Sequence, residues 1–211
     1  MAIDLHQLPN VWHAESLSRA KNSVVASGYA PLDTALGGGW ATPCLMELLI
    51  DHYGIGELTL LLPLLDALAA SRPSTTALWI NPPYAPHALA LQQHGLDPTR
   101  HWMANDLSQR DAAWAFELSL RSGACHAVLG WLQQPSTAIL RRLKLATSTG
   151  QTTGILFRPQ RASDAPSPSS VRLALASTTN GLEVHLLKIQ GRRQSTFVLD
   201  LHSRTEHVRS P

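Results

Sequence analysis

The sequence predicts an α/β protein: a mainly parallel sheet flanked by helices, with an antiparallel extension at its C-terminal end. Apolar runs of strand length, LMELLI (45–50), TALWI (76–80), HWMA (101–104) and HAVLGWL (126–132), alternate with stretches of helical periodicity. Turn residues separate these runs throughout. After GILFRP (154–159) the helical stretches stop and three strand patterns follow one another. Alternating strands and helices build parallel pairings through right-handed crossovers, whereas strands joined by tight turns build an antiparallel meander.

Taken in order, residues 1–24 are polar with the apolar anchors Leu8, Val11 and Trp12, and read as an arm preceding a domain over 25–201. In SGYAPLDTALGGGW, Pro31 opens a short helix that Gly37-Gly38-Gly39 ends. LMELLI is a buried strand, and LTLLLPLLDALAAS (58–71) a helix that Pro63 kinks or occupies in its first turns. TALWI is a strand, Asn81-Pro82-Pro83 a rigid turn, and PHALALQQHG a helix closed by Gly95. After the strand HWMA, Ser108 caps a helix that has Asp111 at its third position and ends at Ser122-Gly123. HAVLGWL is the next buried strand, and Ser136 caps TAILRRLKLATSTG, where Ile139, Leu140, Leu143 and Ala146 recur at helical spacing. SVRLALAS, GLEVHLLKIQ and STFVLDL are strands joined at Asn180-Gly181 and at Gly191-Arg192-Arg193. SDAPSPSS (163–170) is a surface loop, and residues 202–211 form a tail.

Of the 211 residues, 44% are hydrophobic and 15% charged, which suits a compact fold. Neither an 18-residue apolar run nor a secretory leader is present, and two cysteines, Cys44 and Cys125, fit buried thiols in a reducing cytoplasm. Residues 1–140 carry 6 Lys/Arg against 11 Asp/Glu, and residues 141–211 carry 11 against 4. The basic C-terminal third faces either nucleic acid, an acidic partner or solvent.

The loop DHYGIGELT (51–59) lies where a strand–loop–helix protein places its phosphate loop. On the template G-x-x-x-x-G-K-[ST], Asp51 takes the first glycine, Gly56 the second, Glu57 the lysine and Leu58 the hydroxyl residue. Two carboxylates thus stand where a triphosphate brings about four negative charges, a repulsion of several kcal/mol when partly desolvated. Gly54 and Gly56 retain the turn, with room at most for a small anion. No nucleotide or other cofactor is expected.

ASGYAPLDTALGGG, followed by a strand and this loop, resembles the opening of the RecA recombinase core. SGYAPLD, GGGW, ELL, GIGELTLLLP, PPYAPH, LRSGACHAVLGWL, LFRP, PSP and LKIQGRR are similar to motifs of the ImuA family, RecA-like companions of error-prone translesion polymerases. The resemblance implies a RecA-like core and places Pro83 where RecA-like ATPases have their catalytic glutamate and Trp131 where they have a metal-binding aspartate. Lysine, hydroxyl, base and metal ligand are all replaced, so hydrolysis is not expected. The resemblance further implies a non-catalytic adaptor of translesion synthesis, produced in the SOS response to DNA damage. Its implied partners are ImuB, the polymerase ImuC and RecA, with self-association at its edges. Candidate contacts with a partner, or with DNA non-specifically, are Trp12, Arg158, Arg161, Lys188, Arg192 and Arg193. The alternative is the related SulA cell-division inhibitors, which bind the division protein FtsZ and lack most of the region after LFRP.

Other constellations carry less. His87, His94 and His101 recur every seven residues, but Gly95 and Pro98 interrupt any common helix and no metal is expected. Cys125 and His126 are strand neighbours that point to opposite faces. Trp79 and Trp131 read as core residues at strand ends.

Overall fold

The computed structural model describes residues 23–203, so Trp12 and nearly all of the arm, and residues 204–211 of the tail, lie outside the described residues. The described residues open with a small antiparallel ribbon of β1 (Ser23–Val25) and β2 (Trp40–Thr42), with α1 (Ala30–Leu36) between them. Then come β3 (Leu45–Leu49), α2 (Glu57–Ser71), β4 (Thr76–Ile80), α3 (Ala88–Gln93) and β5 (His101–Ala104). These are followed by α4 (Gln109–Ser122), β6 (Cys125–Trp131), α5 (Thr137–Gly150) and β7 (Thr153–Arg158). The last three elements, β8 (Val171–Thr178), β9 (Gly181–Ile189) and β10 (Ser195–Leu199), contain no helix between them.

One eight-stranded sheet results, in the order β10-β9-β8-β3-β7-β6-β4-β5. Its strands run parallel from β8 to β5, and β9 and β10 add to it antiparallel. The RecA-like core implied by the resemblance is corrected here. What is observed is a mixed sheet with flanking helices, and the loop that gave the RecA-like designation its meaning is not an open phosphate cradle, as its geometry shows below.

Local chemistry explains the helix ends. Ser108 Oγ accepts from Asp111 N at 3.1 Å and donates to the Asp111 carboxylate at 2.7 Å, and Ser136 Oγ accepts from Ile139 N at 3.3 Å. Pro63 lies inside α2, which continues to Ser71. Helix α3 is shorter than its sequence pattern, six residues, because the prolines before it and the left-handed Gly95 after it confine it.

Two apolar layers enclose the sheet. Leucines of α2 meet Trp79, Leu129, Trp131 and Phe157 on one face, and α4 and α5 cover Leu45, Ile80, Val128 and Leu156 on the other. Trp131 stacks on Phe157 at 4.3 Å between ring centroids, and Trp79 stacks on Trp131 at 6.1 Å. Cys44 and Cys125 are both buried. Burial pushes the Cys44 thiol up to about 12.

The central strand β3 also carries a charge in the interior. Glu47 is fully buried, with Arg158 on β7 donating to it at 2.8 Å and Arg172 on β8 forming an ion pair with it at 3.5 Å. Ser167 and Ser169 complete the shell around Glu47, the latter at 2.5 Å. Arg172 also donates to the carbonyls of Ala162 and Ser163, and Lys188 to that of Ser167. The Pro/Ser-rich segment expected as a surface loop is exposed at Asp164, Ala165 and Pro166 and tied to the sheet through Ser167 and Ser169.

Burial alone would raise the Glu47 pKa, but the hydrogen bonds from Ser167, Ser169 and Arg158 and the Arg158 charge outweigh it and hold the carboxyl below its ordinary 4.5. A lowered folded pKa means that the native state binds fewer protons than the unfolded one. Its stabilisation is therefore complete above pH 4.5 and lost as pH falls through the lowered value. Urea unfolding should show Arg158→Met destabilised by about 3–5 kcal/mol at neutral pH, because it strands a buried carboxylate. Glu47→Gln should show a flatter loss of stability below pH 4.5 than the unaltered protein.

Candidate functional site

The loop after β3 turns into α2 through Gly56, whose φ of 106° favours glycine. Glu57, the first residue of α2, is buried and reaches back into the loop. One carboxylate oxygen accepts from Gly54 N at 3.0 Å and the other from Ile55 N at 2.9 Å. These are the backbone donors a phosphate would require, at the positive end of a helix. The protein's own carboxylate fills the anion cradle.

The surrounding residues close the loop further. A Cβ on Gly56 would lie 2.2 Å from Leu201 Cδ1, so the segment after β10 covers the turn. Asp51 accepts from Gln160 N at 3.0 Å, tying the loops after β3 and β7 together. Ile55 and Leu58 pack on the same core cluster as Trp131, which is buried, whereas Pro83 is exposed. Glu57→Ala should leave Gly54 and Ile55 N–H without their acceptor and cost about 1–3 kcal/mol in urea unfolding.

The basic candidates are not one surface. Arg158 is buried in the Glu47 network and is unavailable to a partner. Arg192 donates to the Thr34 carbonyl at 3.0 Å, with its guanidinium where a Cβ on Gly37 would stand, so it pins the β9–β10 hairpin to α1. Lys188, which is exposed, donates to Ser167 O at 2.6 Å. Arg161 and Arg193 are exposed.

At the other end of the sheet, a corner that the motifs did not single out is built with more care. Asn81 (φ 50°) and Asp106 (φ 58°), after β4 and β5, are both left-handed, a conformation that Asn and Asp tolerate best among non-glycine residues. Asn81 holds the two loops together: its side chain donates to Leu107 O at 2.8 Å and accepts from Leu107 N at 3.0 Å. Its backbone N–H donates to Ala104 O at 2.8 Å. A cleft of about 460 Å³ lies here, lined by Asn81, Pro83, Tyr84, Asn105 and Asp106 among others. Tyr84 is 76% exposed, Trp102 65% and Met103 47%, the last two on the edge strand β5. HWMA reads as a strand in one dimension; the strand order places it at an edge.

Behind this corner the histidines are structural. Trp79 Nε1 donates to His101 Nδ1 at 3.0 Å. His126 is buried against the Thr75 hydroxyl at 3.2 Å, and burial, with Arg100 and His101 nearby, lowers its pKa to about 4. Among the described residues, no group of three His, Cys, Asp or Glu side chains is placed to hold a metal ion.

These features define an α/β domain whose phosphate-type turn is stoppered by its own side chains and whose edge strand β5 exposes Trp102 and Met103. The family model described as cell division inhibitor SulA matches residues 47–154. That span is half of the chain, and the chain belongs to the SulA family. It is 32% identical over 115 residues to the cell division inhibitor SulA of Serratia proteamaculans, covering 54% of this chain and 67% of that one. With the SulA of Yersinia enterocolitica it shares 32% identity over 130 residues, 62% of this chain and 71% of the other. The crystal structure of SulA from Pseudomonas aeruginosa is 27% identical, covers 54% of this chain and 97% of that one, and superposes with a TM-score of 0.44.

This match overturns the reading drawn from the ImuA resemblance. The RecA-like class, the translesion adaptor and the partners ImuB, ImuC and RecA, together with self-association drawn from RecA-like edges, are withdrawn. GIGEL and PPY fall at the loops after β3 and β4, LRSGAC joins the end of α4 to the start of β6, and LFRP closes β7. Such residues fix how a chain turns and say little about what it binds.

Proposed function

We propose that the protein is a cell-division inhibitor of the SulA type, which acts in the cytoplasm during the SOS response by binding FtsZ. The observation that carries this reading is the SulA family match over residues 47–154, together with relatives that bear that name. The reading is of a binding protein and not an enzyme. Glu57 occupies the donors a nucleotide phosphate would need, so we read Asp51, Gly54, Gly56, Glu57 and Leu58 as a structural turn, with Pro83 and Trp131 carrying no part in hydrolysis. Residues 25–201 then form the binding domain, with 1–24 as an arm and 202–211 as a tail. Among the described residues no helix is long and apolar enough to cross a membrane, which agrees with a cytoplasmic place of action.

Purified protein added at equimolar amounts to FtsZ and GTP should lower the polymer recovered by sedimentation, and its expression in a rod-shaped bacterium should give filaments. Unchanged FtsZ assembly and normal division would overturn the proposal. Calorimetry with magnesium and ATP should give no binding; a micromolar Kd would overturn the reading of the loop.

A further inference from the structure

An extended strand needs hydrogen-bonding partners on both sides, and β5 has a neighbour on one side only, β4. Ala104 O accepts from Asn81 N, so the backbone groups of Ala104 face inward. By the two-residue alternation of a strand, those of Trp102 also face inward, and those of His101 and Met103 face outward. Folded proteins blunt such edges with charges, prolines, shortness or a covering element, and of these β5 has only its four-residue length. Strand β5, His-Trp-Met-Ala, has no Lys, Arg, Asp, Glu or Pro, and burial with the nearby Arg100 charge lowers the pKa of its one titratable residue, His101. Trp102 and Met103 instead stand exposed, on opposite faces of the sheet, and Tyr84 projects beside the adjoining cleft.

We propose that the β5 edge is the docking site of the partner, which adds an extended apolar segment to the sheet as a ninth strand. The inference rests on the cell-division reading for the identity of that partner. The chemistry of the edge selects the form of the segment. Outward N–H and C=O groups at strand spacing are satisfied by another strand and not by a helix. Trp102 above and Met103 below then call for apolar side chains on both faces of the incoming strand. The loops clamped by Asn81 keep this edge rigid, which lowers the entropy lost on docking.

The test measures the affinity of the full chain for purified FtsZ alongside three variants. Trp102→Lys guards the edge with a charge, Met103→Pro removes one outward N–H, and Trp114→Lys alters an exposed tryptophan on α4. The first two should each weaken binding roughly thirty-fold or more, as loss of an interface anchor does, with Trp114→Lys within two-fold of the unaltered protein. Circular dichroism checks that each variant is folded. In the unaltered protein, amide exchange at Met103 should slow when FtsZ is added. Undiminished binding by both edge variants, or unchanged exchange at Met103 in the bound protein, overturns the docking site and leaves the cell-division reading standing. Absence of any FtsZ binding by the unaltered protein overturns that reading and this inference with it.

Discussion

A carboxylate in the middle of the central strand sets the terms for half of this molecule. Glu47 cannot stay ionised in a dry interior without close partners, and it recruits arginines from both neighbouring strands, β7 and β8. Two serines from the Pro/Ser-rich segment supply the remaining hydrogen bonds. The same arrangement that satisfies the charge aligns three parallel strands and holds the segment between β7 and β8 over the sheet, where Ala162 packs with Leu49 and Ala174. A fully apolar residue at position 47 would ask less of its surroundings and would fix that covering segment less firmly.

A second carboxylate settles what the loop after β3 can do. Glu57 lies at a helix N-terminus, the position most favourable to negative charge, and it takes two loop N–H groups for itself. The fold keeps the turn and the helix that nucleotide-binding proteins use, but here the anion is covalently part of the chain. An internal acid stabilises the turn without any ligand concentration to depend on.

Much of this was legible in one dimension. Strand and helix alternation, the Ser108 and Ser136 caps and the burial of Trp79 and Trp131 follow from local pattern, because period and capping chemistry act within a few residues. The acidic character of the loop was also legible, although not that Glu57 accepts from Gly54 and Ile55 N–H. Other features depend on contacts across more than a hundred residues, such as Arg158 reaching Glu47. A sequence shows Arg158 as a surface cation after a strand; the partner that draws it inward is 111 positions away. The β5 edge was hidden for a related reason, since exposure of Trp102 depends on strand order. The ImuA resemblance rested on motifs, such as ELL on β3 and HAVLGWL on β6, that build the fold, and a fold alone does not fix a partner.

The side chain of Leu201 gives the end of the domain a role beyond completing the last strand. It rests where any residue larger than glycine at position 56 would have to be, and Tyr29 OH reaches its carbonyl at 3.5 Å. A protease cut just ahead of position 201 would unlatch the turn at the start of α2 from the far end of the chain. Reporter fusions joined at that point would disturb a region remote in sequence from the junction.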